Sequence, residues 1–140
     1  MTPLFLDTGY LIALEAADDQ HHQAAQRHWD ALRPTLPALV TTTYVFDEVV
    51  TYFNSRGRHA KAVQVGERLL RSPSVEVVQV DPALFEAGWD YFQQRPDKRY
   101  SLTDCISFVL MHQRALQQAL AFDRHFARAG FQMLPGELDD

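Results

Sequence analysis

Apolar positions along the chain follow two rhythms, short unbroken runs and longer stretches with helical spacing, and the two alternate. Thr2 to Leu6, Ala38 to Thr41, Val75 to Val80 and Leu120 to Phe122 are short apolar or β-branched runs that predict buried strands, and Phe131 to Leu134 predicts a last edge strand. Helices are predicted between them. The first covers Thr8 to Glu15. The second runs from about Gln20 to Leu32, with Ala24, Ala25, His28, Trp29 and Leu32 at helical spacing, and Pro34 and Pro37 break it. Thr43 to Asn54 follows, with Gly57 placed to end it. His59 to Arg71 stops before Pro73, and a helix from Pro82 to about Gln94 carries its proline in the favoured first position. Ser101 to about Gln117 and a short helix from about Arg124 complete the series. Alternating strands and helices predict an α/β fold, a three-layer α/β/α sandwich around a mostly parallel central sheet.

Composition adds limits. At 140 residues, with no internal repeat, low-complexity segment or long linker, a single domain over 1–136 is expected, followed by a frayed tail at 137–140. No apolar run approaches the ~18 residues of a membrane span, and no signal peptide is expected. The one cysteine, Cys105, excludes an intrachain disulfide framework, fits a reducing cytoplasm, and reads as a small core residue. The net charge of −5 argues at first against a nucleic-acid partner. Setting aside four acids discussed next leaves 13 basic against 14 acidic side chains, so net charge does not decide the matter.

Those four are Asp7, Glu48, Asp104 and Asp123. Asp7 ends the first strand run, Glu48 lies on the helix after the second, Asp104 falls in the first turn opened by Ser101-Leu102-Thr103, and Asp123 ends the run Ala119-Leu120-Ala121-Phe122. In a parallel sheet all strand C-termini open on one edge, where ligands bind. Folding would gather the four carboxylates there, and such a cluster calls for a hard cation, Mg²⁺ or Mn²⁺. Each acid also has a plain structural reading. Asp7 and Asp123 suit helix N-caps, and Ser101 with Asp104 matches the capping-box spacing, although a short Asp reaches back less well than Glu. Asp47 and Glu48 both lie off the apolar face of their helix, and helix phase does not choose between them. The four coincidences on one sheet edge favour the shared site.

Other chemistries lack their signatures. There is no GxxxxGK[ST] loop, no GxGxxG and no GxSxG elbow. A haloacid-dehalogenase-like phosphatase needs a second Asp where Gly9 stands, and a phosphoacceptor receiver domain needs paired acids near the end of strand one. His21, His22 and His28 have no cysteine or HExxH partners and read as helix surface. The loop Arg95-Pro96-Asp97-Lys98-Arg99-Tyr100 is the most basic segment and leads into the Asp104 helix. It offers Arg95, Lys98 and Arg99 as phosphate contacts and Tyr100 for base stacking, with Arg124 a further basic candidate.

Taken together, Phe5-Leu6-Asp7-Thr8, Glu48, Ser101-Leu102-Thr103-Asp104 and Ala121-Phe122-Asp123-Arg124-His125-Phe126 resemble the PIN-domain nucleases, and within them the small VapC-like toxins of bacterial toxin–antitoxin pairs. The resemblance covers nearly the whole chain. It implies a metal-dependent endoribonuclease in which Asp7, Glu48, Asp104 and Asp123 hold Mg²⁺ or Mn²⁺, with Thr8 and Thr103 as supporting hydroxyls. It favours Glu48 over Asp47. It also implies an RNA substrate, a small antitoxin partner that docks in an apolar groove, for which the helices around Tyr44 to Phe53 and His59 to Leu70 are the candidates, a homodimer, and a cytoplasmic location without membrane contact. The alternative is a catalytically silent PIN-like module that binds nucleic acid or protein. The early His21-His22 pair is not explained by the motif.

Overall fold

The computed structural model describes residues 2–136. The tail expected to fray at 137–140 lies outside the described residues. Five strands form one sheet in the order β3-β2-β1-β4-β5. They are β1 (Leu4–Leu6), β2 (Leu39–Thr42), β3 (Val75–Val78), β4 (Gln118–Leu120) and β5 (Gln132–Leu134). Every neighbouring pair is parallel, so the expectation of a mostly parallel sheet is met in full. Both β1 and β2 are buried throughout; β1 reads as an unbroken apolar run, and β2 ends in two buried threonines whose hydroxyls are hydrogen-bonded, Thr41 Oγ1 donating to Leu6 O and Thr42 Oγ1 accepting the Val45 amide.

The helices are α1 (Thr8–Glu15), α2 (His22–Leu32), α3 (Thr43–Ser55), α4 (His59–Arg71), α5 (Pro82–Gln93), α6 (Leu102–Gln113) and α7 (His125–Arg128). Their main contacts join α1 to α2 and α3, and α3 to α4; separately, α6 packs on α5 and α7. These two sets follow from the strand order. The chain steps from β1 outward to β3, then returns to the other side of β1 for β4, and right-handed crossovers in opposite directions put their helices on opposite faces. Among the described residues no helix is long and apolar enough to cross a membrane.

Helix ends show how far local chemistry decides the elements. At the end of α3 the Gly57 amide donates to Asn54 O (3.0 Å) and the Arg58 amide to Phe53 O (2.9 Å), a Schellman closure with Gly57 at φ 73°. Helix α6 ends four residues before the expected Gln117 by the same closure. The Ala115 amide donates to His112 O (3.2 Å), the Leu116 amide to Met111 O (2.8 Å), and Ala115 stands at φ 55°. The αL position is filled by alanine, so no glycine marks the stop, and burial of Leu116 holds the turn. β4 then starts early, at Gln118 rather than Leu120, because its ladder follows β1, which ends at Leu6. Phe122 leaves the sheet. β3 stops at Val78 rather than Val80: its partner β2 ends at Thr42, and the Val80 amide donates instead to Thr43 Oγ1 (3.1 Å).

Candidate metal and active site

Sheet order creates the site. The strand order switches between β1 and β4, and the C-terminal edge at such a switch point is where ligands bind in open α/β sheets. Asp7 follows β1, Asp123 lies three residues beyond β4, and Asp104 sits in the first turn of α6, which leads into β4. The backbone locks β1 to β4 here, since the Asp7 amide donates to Leu120 O (3.0 Å).

Asp7 occupies the N-cap position of α1 but forms no side-chain cap hydrogen bond. Its side chain is buried, with Asp7 as a whole 5% exposed. Burial first, then the charge of Asp104 and that of Asp123, push its pKa up to about 8, and the nearby Thr8 and Gly9 amides offset only part of the rise. Asp104 does form the full capping box: Ser101 Oγ accepts the Asp104 amide (3.0 Å) and Asp104 Oδ2 accepts the Ser101 amide (3.1 Å). The structural reading of this Asp is therefore correct, and the same residue also lies in a cluster with Asp123 and His125. Asp123 Oδ1 accepts the His125 amide (2.9 Å), steadying the start of α7. Glu48 is tied in from α3, where Thr8 Oγ1 donates to Glu48 Oε1 (2.7 Å). Asp47 points away, is exposed, and accepts only from Thr51 Oγ1 (3.3 Å) on its own helix. Tertiary contact thus separates two neighbours that helix phase left equal. Thr103 is buried in the first turn of α6 beside Asp104.

The structure adds a residue that composition and spacing did not single out. His125 Nδ1 lies 3.0 Å from Asp104 Oδ2 and 3.4 Å from Asp123 Oδ1. Asp104, Asp123 and His125 offer ligand atoms all within 4.8 Å of one another. Side-chain exposure rises from 11% at Asp104 through 22% at His125 to 43% at Asp123, so the cluster opens toward solvent on the Asp123 side. Among the described residues Asp104 Oδ1 and Asp123 Oδ2 accept no hydrogen bond. Unengaged carboxylate oxygens next to a buried, mutually repelling acid are a donor set that suits a hard divalent cation.

Two expectations are corrected. Tyr100 has no face for a base: it is buried, edge-on to Phe108 (5.1 Å between centroids) and to His125 (5.2 Å), because the chain before α6 turns inward to cover the aromatic core. Its neighbour Arg95 lies over the Tyr91 ring at 3.4 Å and donates to Tyr91 O (3.3 Å). Lys98, Arg99 and Arg124 are exposed, as a phosphate-contacting role requires. The early histidines are not simple helix surface either. α2 packs on α1, so His28 Nδ1 meets the buried Tyr10 hydroxyl (2.8 Å), His22 Nδ1 meets Ala13 O (2.8 Å), and His21 stacks on Phe122 (4.5 Å). Burial lowers the His28 pKa and raises that of Tyr10. Cys105 is the buried core thiol expected, its pKa pushed up to about 11 by burial and by Asp104.

Comparison with known proteins shows the family and the fold. The PIN domain model matches residues 4–132. The chain belongs to the PIN-domain family. Its similar relatives include the 23S rRNA-specific endonuclease VapC20 from two strains of Mycobacterium tuberculosis, each 36% identical over 128 residues, covering 91% of this chain and 95% of the relative. The crystal structure of Mycobacterium tuberculosis VapC20, described as a sarcin–ricin loop cleaving toxin, superposes with a TM-score of 0.83 at 33% identity, again over 91% of this chain and 95% of the other. This PIN domain therefore matches its relatives over nearly its full length, and the sheet and helices above are the family's fold.

Proposed function

We propose that the chain is a metal-dependent endoribonuclease and the toxin of a toxin–antitoxin pair. The observation that carries the reading is geometric: Asp7 is buried at the end of β1, and Asp104 and Asp123 cluster on the same sheet edge, so that burial first and then their charges disfavour its ionised form. Acids brought together from separate elements into a dry spot are unfavourable alone and favourable around a cation. Asp7, Glu48, Asp104 and Asp123 would hold Mg²⁺ or Mn²⁺. Such an ion supplies Lewis acidity toward water and the scissile phosphate. The chain's own residues do the rest. Thr8 fixes the Glu48 carboxylate through its hydroxyl, Ser101 fixes Asp104, and the exposed Lys98, Arg99 and Arg124, the last adjoining Asp123 in sequence, would meet phosphates. No side-chain nucleophile is required.

The relatives act on 23S rRNA, and one is described as cleaving the sarcin–ricin loop. A structured loop of large-subunit rRNA is accordingly the substrate class we assign. An antitoxin segment would dock on α4, where Phe46, Val50, Val63, Gly66 and Leu70 line a depression of about 380 Å³ against α3, with Val63 and Leu70 exposed. Trp89 and Phe92 stack on α5 with their rings outward (5.5 Å between centroids), an apolar pair suited to a homodimer contact.

The test is cleavage of an rRNA fragment containing that loop by purified, partner-free protein with Mg²⁺ or Mn²⁺, with EDTA, and with Asp104→Asn. The Asn side-chain oxygen still accepts the Ser101 amide, so α6 keeps its start. Cleavage by wild type that is lost with EDTA and reduced at least ~10³-fold in the variant is the expected result. A folded wild type that leaves this RNA and total cellular RNA intact would return the chain to the binding-module reading.

A further inference from the structure

We infer that His125 positions the Asp104 carboxylate for cation binding by donating its Nδ1 proton, and does not itself ligate the ion. The inference rests on the cation-binding reading above. Nδ1 faces two carboxylate oxygens, Asp104 Oδ2 at 3.0 Å and Asp123 Oδ1 at 3.4 Å. An ionised carboxylate only accepts, so the nitrogen facing it must carry the hydrogen. A nitrogen with its proton aimed at Asp104 has no lone pair to offer there, and the lone pair of Nε2, across the ring, diverges from the two carboxylates that Nδ1 faces.

The placement of the ring is over-determined. It packs edge-on against Tyr100, which is itself buried against Phe108. Its own backbone amide donates to Asp123 Oδ1 at 2.9 Å. One residue therefore ties together the start of α7, Asp123 and Asp104. Asp104 Oδ2 receives two donors, the Ser101 amide from the cap of its own helix and His125 Nδ1 from α7. Two donors on one oxygen fix the plane of the carboxylate and leave Oδ1 open to a ligand. Hydrogen bonds of this kind behind a ligating carboxylate orient it and tune its affinity. The arrangement also gives buried Tyr100 a role that base stacking does not: it is the platform on which His125 stands.

The experiment is Mn²⁺ binding to the full chain by calorimetry, with electron spin-echo spectroscopy of the bound Mn²⁺, for wild type, His125→Ala and His125→Asn. Asparagine places an N–H donor close to where Nδ1 stands. We expect about 10–100-fold weaker binding in His125→Ala and binding within about 3-fold of wild type in His125→Asn, with no ¹⁴N coupling in the wild-type spectrum. A ¹⁴N coupling present in wild type and lost in His125→Ala would make His125 a ligand and overturn the inference. Unchanged affinity in His125→Ala would overturn it too, as would equal loss in a folded His125→Asn. A wild type that binds no Mn²⁺ overturns the cation reading itself, and that outcome is distinct from the others.

Discussion

At the scale of single residues, the chain gives up stability to hold its acids together. Burial, and after it the charges of Asp104 and Asp123, push the Asp7 pKa from 3.8 up to about 8 in the folded, cation-free protein. The folded state thus binds the proton more tightly between those values. Stability from this group is fully present below about pH 4 and is lost as the pH rises toward 8, with a slope of up to about 1.4 kcal/mol per pH unit. Asp7→Asn removes the charge that is costly to bury. We expect it to abolish cleavage while raising the cation-free melting temperature at pH 8, and to flatten the fall in stability between pH 4 and 8. Thermal denaturation across that range in EDTA measures both. A variant less stable than wild type at pH 8 would show that Asp7 is not the source of the strain.

At the scale of elements, helix ends and helix contacts decide where the acids stand. Asp104 reaches the site because Ser101 caps α6, and Asp123 because α6 closes early at Ala115 and lets β4 begin at Gln118. α6 is held in turn by α5. Gly88 on α5 lies so close to α6 that a Cβ there would stand 3.2 Å from Ile106 Cα and closer still to its side chain. Backbone and β-branched atoms have little room to give. Gly88→Ala is therefore expected to destabilise by about 1–3 kcal/mol, despite the better helix propensity of alanine. Equilibrium urea unfolding checks it. A gain in stability would mean that the two helices separate without cost.

At the scale of the whole molecule, the switch in strand order between β1 and β4 brings the strand ends together, and a bound cation should link that edge into one unit. Ligands that bind only the folded state stabilise it by RT ln(1 + [L]/Kd). Saturating Mg²⁺ or Mn²⁺ is expected to raise the wild-type melting temperature by several degrees, since a hundredfold excess over Kd is worth about 2.7 kcal/mol. The same addition should leave Asp7→Asn nearly unmoved. Equal shifts in both proteins would place cation binding elsewhere on the surface.

Much of this was legible in the order of residues. Apolar or β-branched runs marked β1 and β2 because both are buried on both faces. Pro82 and Gly57 marked a helix start and a helix end because each has a conformation that few other residues share. Asp7, Asp104 and Asp123 were legible because each follows or opens an element, whereas Glu48 lies within α3. What the chain alone did not decide lay in contacts between remote segments. Asp47 and Glu48 are equivalent by helix phase; the family resemblance favours Glu48, and the physical contact that separates them is the Thr8 hydroxyl. The end of α6 was hidden because alanine fills a position normally marked by glycine, held there by the burial of Leu116. Tyr100 looks available in a basic loop and is buried by the aromatic core. His125 looks like one histidine among six, and it acquires its partners only when α7 is folded back beside the first turn of α6. Local sequence carries backbone preference and apolar rhythm; the strand order decides which side chains meet, and so which of them share one chemistry.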